Sequence, residues 1–199
     1  MKKVGLFGGT FDPIHNGHIF LALQLMEMNM LDEVIFCPAF LSPFKKEKPP
    51  SATSEDRFRM VQLAIEGISG FTLTDIEIKR SQPSYTIDTI RSLQKNNPKI
   101  QYRLLFAEET LWKLDEWKDV NSLLEIAPPL IGGREGSFET HLQNLPSSLQ
   151  EMVKGNYFLT KKMDISSTEI RARIPKKMYC GHLTSQKVLD YIYRNNLYL

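Results

Sequence analysis

Cysteine is scarce in this chain of 199 residues, which carries only Cys37 and Cys180. They lie far apart and outside any paired-spacing motif, which fits a thiol-keeping cytoplasm better than a disulfide framework. Long apolar runs are missing as well, and no stretch approaches the roughly 20 apolar residues of a membrane span. The run that follows Met1-Lys2-Lys3, Val4-Gly5-Leu6-Phe7, is broken by Gly8-Gly9-Thr10 and Asp12-Pro13 before it reaches the length of a secretory leader. Nor is there an excess of charge of one sign. The 25 Lys and Arg against 23 Asp and Glu leave +2, so nothing in the balance demands a nucleic acid or an anionic membrane as partner. A small anionic ligand is compatible with all of this. Internal repeats and long low-complexity segments are absent too.

What is present is a hydrophobic content of 42%, enough for one sizeable core, and a length that fits a single domain over residues 1–199. Short β-rich apolar runs alternate with longer helical patterns, and Gly, Pro, Ser or Asp marks each junction. The pattern predicts strands at 4–7, 34–38, 71–78, 102–106, 130–131 and 157–159. Helices are predicted at 19–29, 54–68, 86–96, 117–126, 166–174 and 184–195. Such alternation defines an α/β fold, and the apolar character of the strands predicts a sheet covered on both faces. Thr53 with Asp56, and Ser166 with Glu169, have the spacing of capping boxes. Residues 43–54, rich in Lys, Pro and Ser, read as a mobile loop near a strand end.

Two places carry chemistry. The first strand runs into Gly8-Gly9-Thr10, and His18 opens an apolar helix. Open parallel sheets place ligands at such strand-to-helix junctions. Adjacent glycines admit a phosphate close to the backbone, while amide groups and the helix dipole supply positive potential. Asn16 or Asp12 is expected to cap the turn. His15 and His18, three residues apart, are expected to face the same anion, which suits phosphoryl or nucleotidyl transfer by positioning and charge stabilisation, with no protein nucleophile. Two histidines with no nearby cysteine or carboxylate cluster do not complete a tetrahedral metal site. The second place is Ile165-Ser166-Ser167-Thr168-Glu169-Ile170-Arg171. Its hydroxyls sit at a helix start, and Arg171 adds a permanent charge with a bidentate fork.

These residues resemble the nucleotidyltransferase superfamily. Gly8 to His18 matches its GGTFDPIHxGH form of the HxGH motif, and Ile165 to Arg171 matches its ISSTxIR motif. Asp56-Arg57, Ser84-Tyr85-Thr86-Ile87-Asp88-Thr89, Trp117 and Arg134-Glu135-Gly136 follow the order seen in bacterial nicotinate-mononucleotide adenylyltransferases. The resemblance implies a Rossmann-like, doubly wound parallel sheet. It also implies attack by the 5′-phosphate of nicotinate mononucleotide on the α-phosphorus of ATP, with Mg²⁺ bound to the ATP, to give deamido-NAD and pyrophosphate.

On this resemblance His15, His18 and Arg171 are the catalytic set, and Gly8, Gly9, Thr10, Phe11, Ser166, Ser167 and Arg171 bind ATP. Lys45, Thr86, Trp117, Lys118 and Glu109 fall on the mononucleotide side, with Trp117 stacked on the pyridine ring and Thr86 and the backbone near Trp117 and Lys118 receiving the carboxylate. Two departures stand out. The family's Pro-Pro-His-Lys reads Ser42-Pro43-Phe44-Lys45 here, and its Gly-Ala-Asp reads Ala107-Glu108-Glu109. The alternative readings are a related transferase with another phosphorylated acceptor, against which Ser84-Tyr85-Thr86 and Trp117 argue, and a nucleotide-binding protein without turnover, against which His15, His18 and Arg171 argue.

Overall fold

The apolar runs become six strands in the computed structural model, which describes residues 1–45, 47–133, 138–161 and 163–199. They are β1 Lys3–Gly9, β2 Glu33–Pro38, β3 Phe71–Leu73, β4 Gln101–Ala107, β5 Pro129–Gly133 and β6 Tyr157–Leu159. Together they form a parallel sheet in the order β3-β2-β1-β4-β5-β6. Val4 lies opposite Tyr102 and Leu6 opposite Leu104, Leu105 opposite Leu130, and Ile131 opposite Tyr157. The chain leaves β1 in one direction to β2 and β3 and returns to its other side at β4, the strand order of a Rossmann-like doubly wound sheet. All five residues of β5 are buried, whereas the edge strands β3 and β6 are only partly covered. Continuous apolar runs therefore mark inner strands, as burial on both faces requires.

The helices among the described residues are α1 Asn16–Met28, α2 Ser54–Ile65, α3 Ile76–Arg80, α4 Thr86–Asn96, α5 Val120–Ile126, α6 Phe138–Gln143, α7 Ser147–Lys154, α8 Ser167–Arg173 and α9 Gln186–Arg194. The N-cap half of each expected capping box forms. Asp56 N donates to Thr53 Oγ1 at 3.1 Å, and Glu169 N donates to Ser166 Oγ at 3.1 Å. Each satisfies an amide that has no carbonyl partner in its own helix.

Three expectations are corrected. The strand expected over 71–78 stops at Leu73, and α3 follows. Thr74 and Asp75 turn the chain, Lys79 N donates to Asp75 O at 2.8 Å, and Glu77 is buried. The helix expected from 117 begins only at Val120, because Asp119 takes a left-handed conformation at φ 49°. Helices α6 and α7 escaped the sequence reading because each is short and turn-rich sequence surrounds it.

The chain falls into two compact units, each stitched from three stretches. One comprises Met1–Gly8, Leu21–Ile35 and Tyr85–Lys162, the other Gly9–Phe20, Phe36–Ser84 and Met163–Leu199. Nothing in the composition marks this division, since both units are assembled from interleaved stretches. No helix of the described residues is long and apolar enough to cross a membrane.

Candidate active site

The loop that follows β1 is held by its carbonyls. Arg57 Nη1 donates to Thr10 O at 2.7 Å, Arg171 Nη1 to Asp12 O at 2.6 Å, Ser167 Oγ to Pro13 O at 2.8 Å, and Thr184 Oγ1 to Ile14 O at 3.0 Å. Four side chains from three parts of the second unit thus fix the backbone over five residues. Arg57 is 1% exposed and its fork also reaches Phe40 O at 2.9 Å, so the loop and the end of β2 share one clamp. A buried guanidinium is tolerated because its N–H groups meet carbonyls.

This framework places the two histidines. The His15 backbone N–H donates to His18 Nδ1 at 3.2 Å, which leaves the proton of neutral His18 on Nε2. The contact is the reciprocal half of a capping box, with an imidazole at the third helical position reaching back to the residue before the helix. Neither Asn16 nor Asp12 caps α1 as the sequence suggested. Asn16 is the first helical residue, with its side-chain amide on His182 O at 3.2 Å, and the Asp12 carboxylate is engaged elsewhere.

The imidazoles of His15 and His18 stack with centroids 3.6 Å apart, and the Phe11 ring meets His18 edge-on at 5.1 Å. Phe11 is buried, with its ring against His18. His15 Nδ1 is buried with no hydrogen-bond partner, which suits a donor or acceptor awaiting a ligand. Burial pushes His15 down to about 4. Burial, then the neighbouring His15 and Lys45 charges, hold His18 well below the usual imidazole range.

The glycines of the motif serve space. A Cβ on Gly17 would stand 3.1 Å from His15 Nδ1, and one on Gly9 would stand 2.8 Å from the Phe11 ring, whereas Gly8 looks onto open space. Thr10 beside it is half-exposed.

Around the loop sits a set of charges that sequence spacing alone does not assemble. The Asp12 carboxylate is 5% exposed and accepts from Ser51 N at 2.8 Å, Ala52 N at 3.1 Å and the Tyr198 hydroxyl at 2.7 Å. The end of the loop expected over 43–54 is therefore tied down, and Pro43–Lys45 forms a short 3₁₀ turn. Partial burial lowers the Lys45 ammonium below its ordinary value; Asp12 opposes this, while Arg171 and Arg57 add to it. That places Lys45 within electrostatic reach of Asp12, Arg171 and Arg57 in the second unit.

The other expected site residues belong to the first unit. Thr86 begins α4, whose preceding Tyr85 offers no side-chain cap. Trp117 is half-buried, its indole 6.0 Å from the Phe106 ring, and its backbone N–H is already used on Leu114 O at 3.1 Å. Lys118 Nζ donates to Asp88 Oδ2 at 3.0 Å and lies 4.8 Å over the Tyr85 ring, which clasps the Trp117 turn to the start of α4. Glu109 is exposed, while Glu108 is buried and accepts from the Tyr157 hydroxyl at 3.0 Å. Arg134-Glu135-Gly136 lies outside the described residues.

The structure thus brings His15, His18, Ser167, Arg171 and Lys45 around one loop. Ser166 serves its helix cap. Sequence reasoning missed Asp12 as the anchor of residues 51–52 and missed Tyr198 altogether, and it quoted Arg57 without a role. The one available signal was charge in an apolar setting: Arg57 lies on the face of α2 that also carries Met60 and Val61.

The chain is a nucleotidyltransferase of the cytidylyltransferase-like family, whose pattern matches residues 6–173. Within that class it belongs with the nicotinate-nucleotide adenylyltransferases. It is 35% identical over 201 residues to a probable nicotinate-nucleotide adenylyltransferase of Clostridium acetobutylicum, with both chains covered in full. It is 34% identical over 197 residues to one of Methylacidiphilum infernorum, covering 99% of this chain and 92% of that protein. The solved nicotinic acid mononucleotide adenylyltransferase of Plasmodium falciparum, complexed with NaAD, superposes with a TM-score of 0.78 at 21% identity, covering 100% of this chain and 98% of that one. A likeness at that identity speaks to the fold.

Proposed function

We propose that this chain transfers the adenylyl group of ATP to the 5′-phosphate of nicotinate mononucleotide, giving deamido-NAD and pyrophosphate. The observation that carries the reading is the stacked pair of neutral imidazoles, one with its tautomer set by a backbone amide. A phosphate oxygen of the mononucleotide attacks the α-phosphorus, the bond to the bridging oxygen breaks, and pyrophosphate leaves with the electron pair. Negative charge shifts onto the α-phosphate oxygens and the leaving group. The Nε2–H of His18 is a donor suited to that charge, and Lys45 and Arg171 suit the leaving pyrophosphate. The donor set of imidazoles, cations and hydroxyls fits phosphate oxygens better than a resident metal, so Mg²⁺ is assigned to the ATP itself, where it neutralises phosphate charge.

The test is incubation with ATP, Mg²⁺ and candidate mononucleotides, followed by pyrophosphate release. Release with nicotinate mononucleotide is expected. His18→Ala is expected to keep the fold and lose about two to three orders of magnitude in turnover, the effect of one donor to developing charge. Pyrophosphate release that needs a different acceptor, or near-normal turnover in the variant, would overturn the substrate or the mechanism respectively.

A further inference from the structure

Asp12 and Arg171 form a loose ion pair with no hydrogen bond between their side chains. The guanidinium donates to the Asp12 backbone carbonyl at 2.6 Å, while Nη1 stands 3.9 Å from carboxylate Oδ2, beyond a hydrogen bond. The carboxylate is spent instead on the amides of Ser51 and Ala52 and on the Tyr198 hydroxyl. Tyr198 reaches this point from 186 positions along the chain. Its own φ of 63° is left-handed, a conformation a non-glycine residue adopts at a cost and keeps where its surroundings hold it. Burial, then the Asp12 charge, raises the phenol far above its ordinary range, so it stays a proton donor.

A carboxylate with a vacant lone pair beside two cations would turn toward them. Once paired with Arg171 or Lys45, it would compete with phosphate oxygens for the same charge. We propose that Tyr198 is a positioning residue for the ATP phosphates: its hydroxyl occupies Oδ1 of Asp12 and keeps that carboxylate from claiming Arg171 and Lys45. Every group in the argument belongs to one compact unit. The proposal rests on the adenylyl-transfer reading for the identity of the phosphate ligand and deepens it with a residue outside both sequence motifs.

The test compares wild type with Tyr198→Phe, which keeps the ring and deletes only the hydroxyl. A non-hydrolysable ATP analogue is titrated without acceptor, and KM is measured for each substrate. The analogue Kd and the KM for ATP are expected to rise about tenfold, the scale of one hydrogen bond to a charged group, with the mononucleotide KM unchanged. In an Asp12→Asn background, where no carboxylate is left to turn, Tyr198→Phe is expected to add nothing. An unchanged ATP constant, whatever happens to the melting temperature, overturns the proposal, because packing alone then explains Tyr198. So does an equal rise of both KM values, or additivity of the two substitutions. The analogue binds without any acceptor, so loss of the adenylyl-transfer reading and loss of the Tyr198 proposal are separate results.

Discussion

His15 and His18 carry opposite demands in one stacked pair. Two imidazoles with centroids 3.6 Å apart cannot both take a proton cheaply, and burial already disfavours the first. Both are therefore neutral at pH 7, and His18 works as a neutral donor from Nε2. The linkage sign follows. The unfolded chain protonates these histidines near 6.5, while folded His15 resists until about 4. Between those values the unfolded state binds more protons, so their contribution is full above about pH 6.5 and is lost as pH falls toward 4. The melting temperature of the unliganded protein is expected to drop across that window, and the His15 ring resonance to titrate with a midpoint near 4. A midpoint at the ordinary imidazole value would show that the stacked, buried pair does not exist in solution. At this scale the sequence was most informative, since the histidines and the spacing glycines lie in one contiguous motif. Even so, Gly17 could be read as a turn residue, and its reason, the His15 ring 3.1 Å from where a Cβ would be, needs the packed rotamer.

Among the elements, the loop after β1 is a short stretch made rigid by its neighbours. Arg57 on α2, Ser167 and Arg171 on α8, and Thr184 ahead of α9 each hold a carbonyl of residues 10–14. The two N-caps were legible because a cap is a local pattern of three or four residues. The clamps were not, because each joins residues whose separation in sequence carries no period. The same limit misread 71–78, where apolar alternation imitates a strand although Asp75 and the Lys79–Asp75 ion pair at 2.9 Å support a helical turn. Replacing Arg57 by Met is expected to destabilise the protein by on the order of 3 kcal/mol, since carbonyls at Thr10, Ala52 and Phe40 lose their donor in a buried setting. Chemical denaturation checks this. A loss under about 1 kcal/mol would mean that water replaces the clamp and the loop does not depend on it.

For the whole molecule, His15, His18, Ser167 and Arg171 belong to one compact unit and Thr86, Trp117 and Lys118 to the other, so the substitutions in each group are read separately. The strand order was implied by family resemblance, whereas the division into units and the pairing of Lys118 were not readable from spacing. That pairing changes the argument for substrate choice. With the Trp117 backbone N–H on Leu114 O, the Lys118 ammonium on Asp88 and the Asp88 amide on Tyr85 O, the carboxylate is assigned on the proposed reading to Thr86 and to the amides of Thr86 and Ile87 at the start of α4. An anionic carboxylate gains from those donors and from the helix dipole, whereas a carboxamide turns an NH₂ toward groups that can only donate. Nicotinate mononucleotide is therefore expected to exceed nicotinamide mononucleotide in kcat/KM by about tenfold, or roughly 1.4 kcal/mol. Thr86→Val, which keeps the shape and deletes the hydroxyl, is expected to narrow that ratio by weakening the acid substrate. Trp117→Ala is expected to weaken both substrates alike, because a ring stack does not read the acid group. Paired kinetics with the two mononucleotides decide the matter: a ratio that Thr86→Val leaves untouched would move carboxylate recognition away from α4.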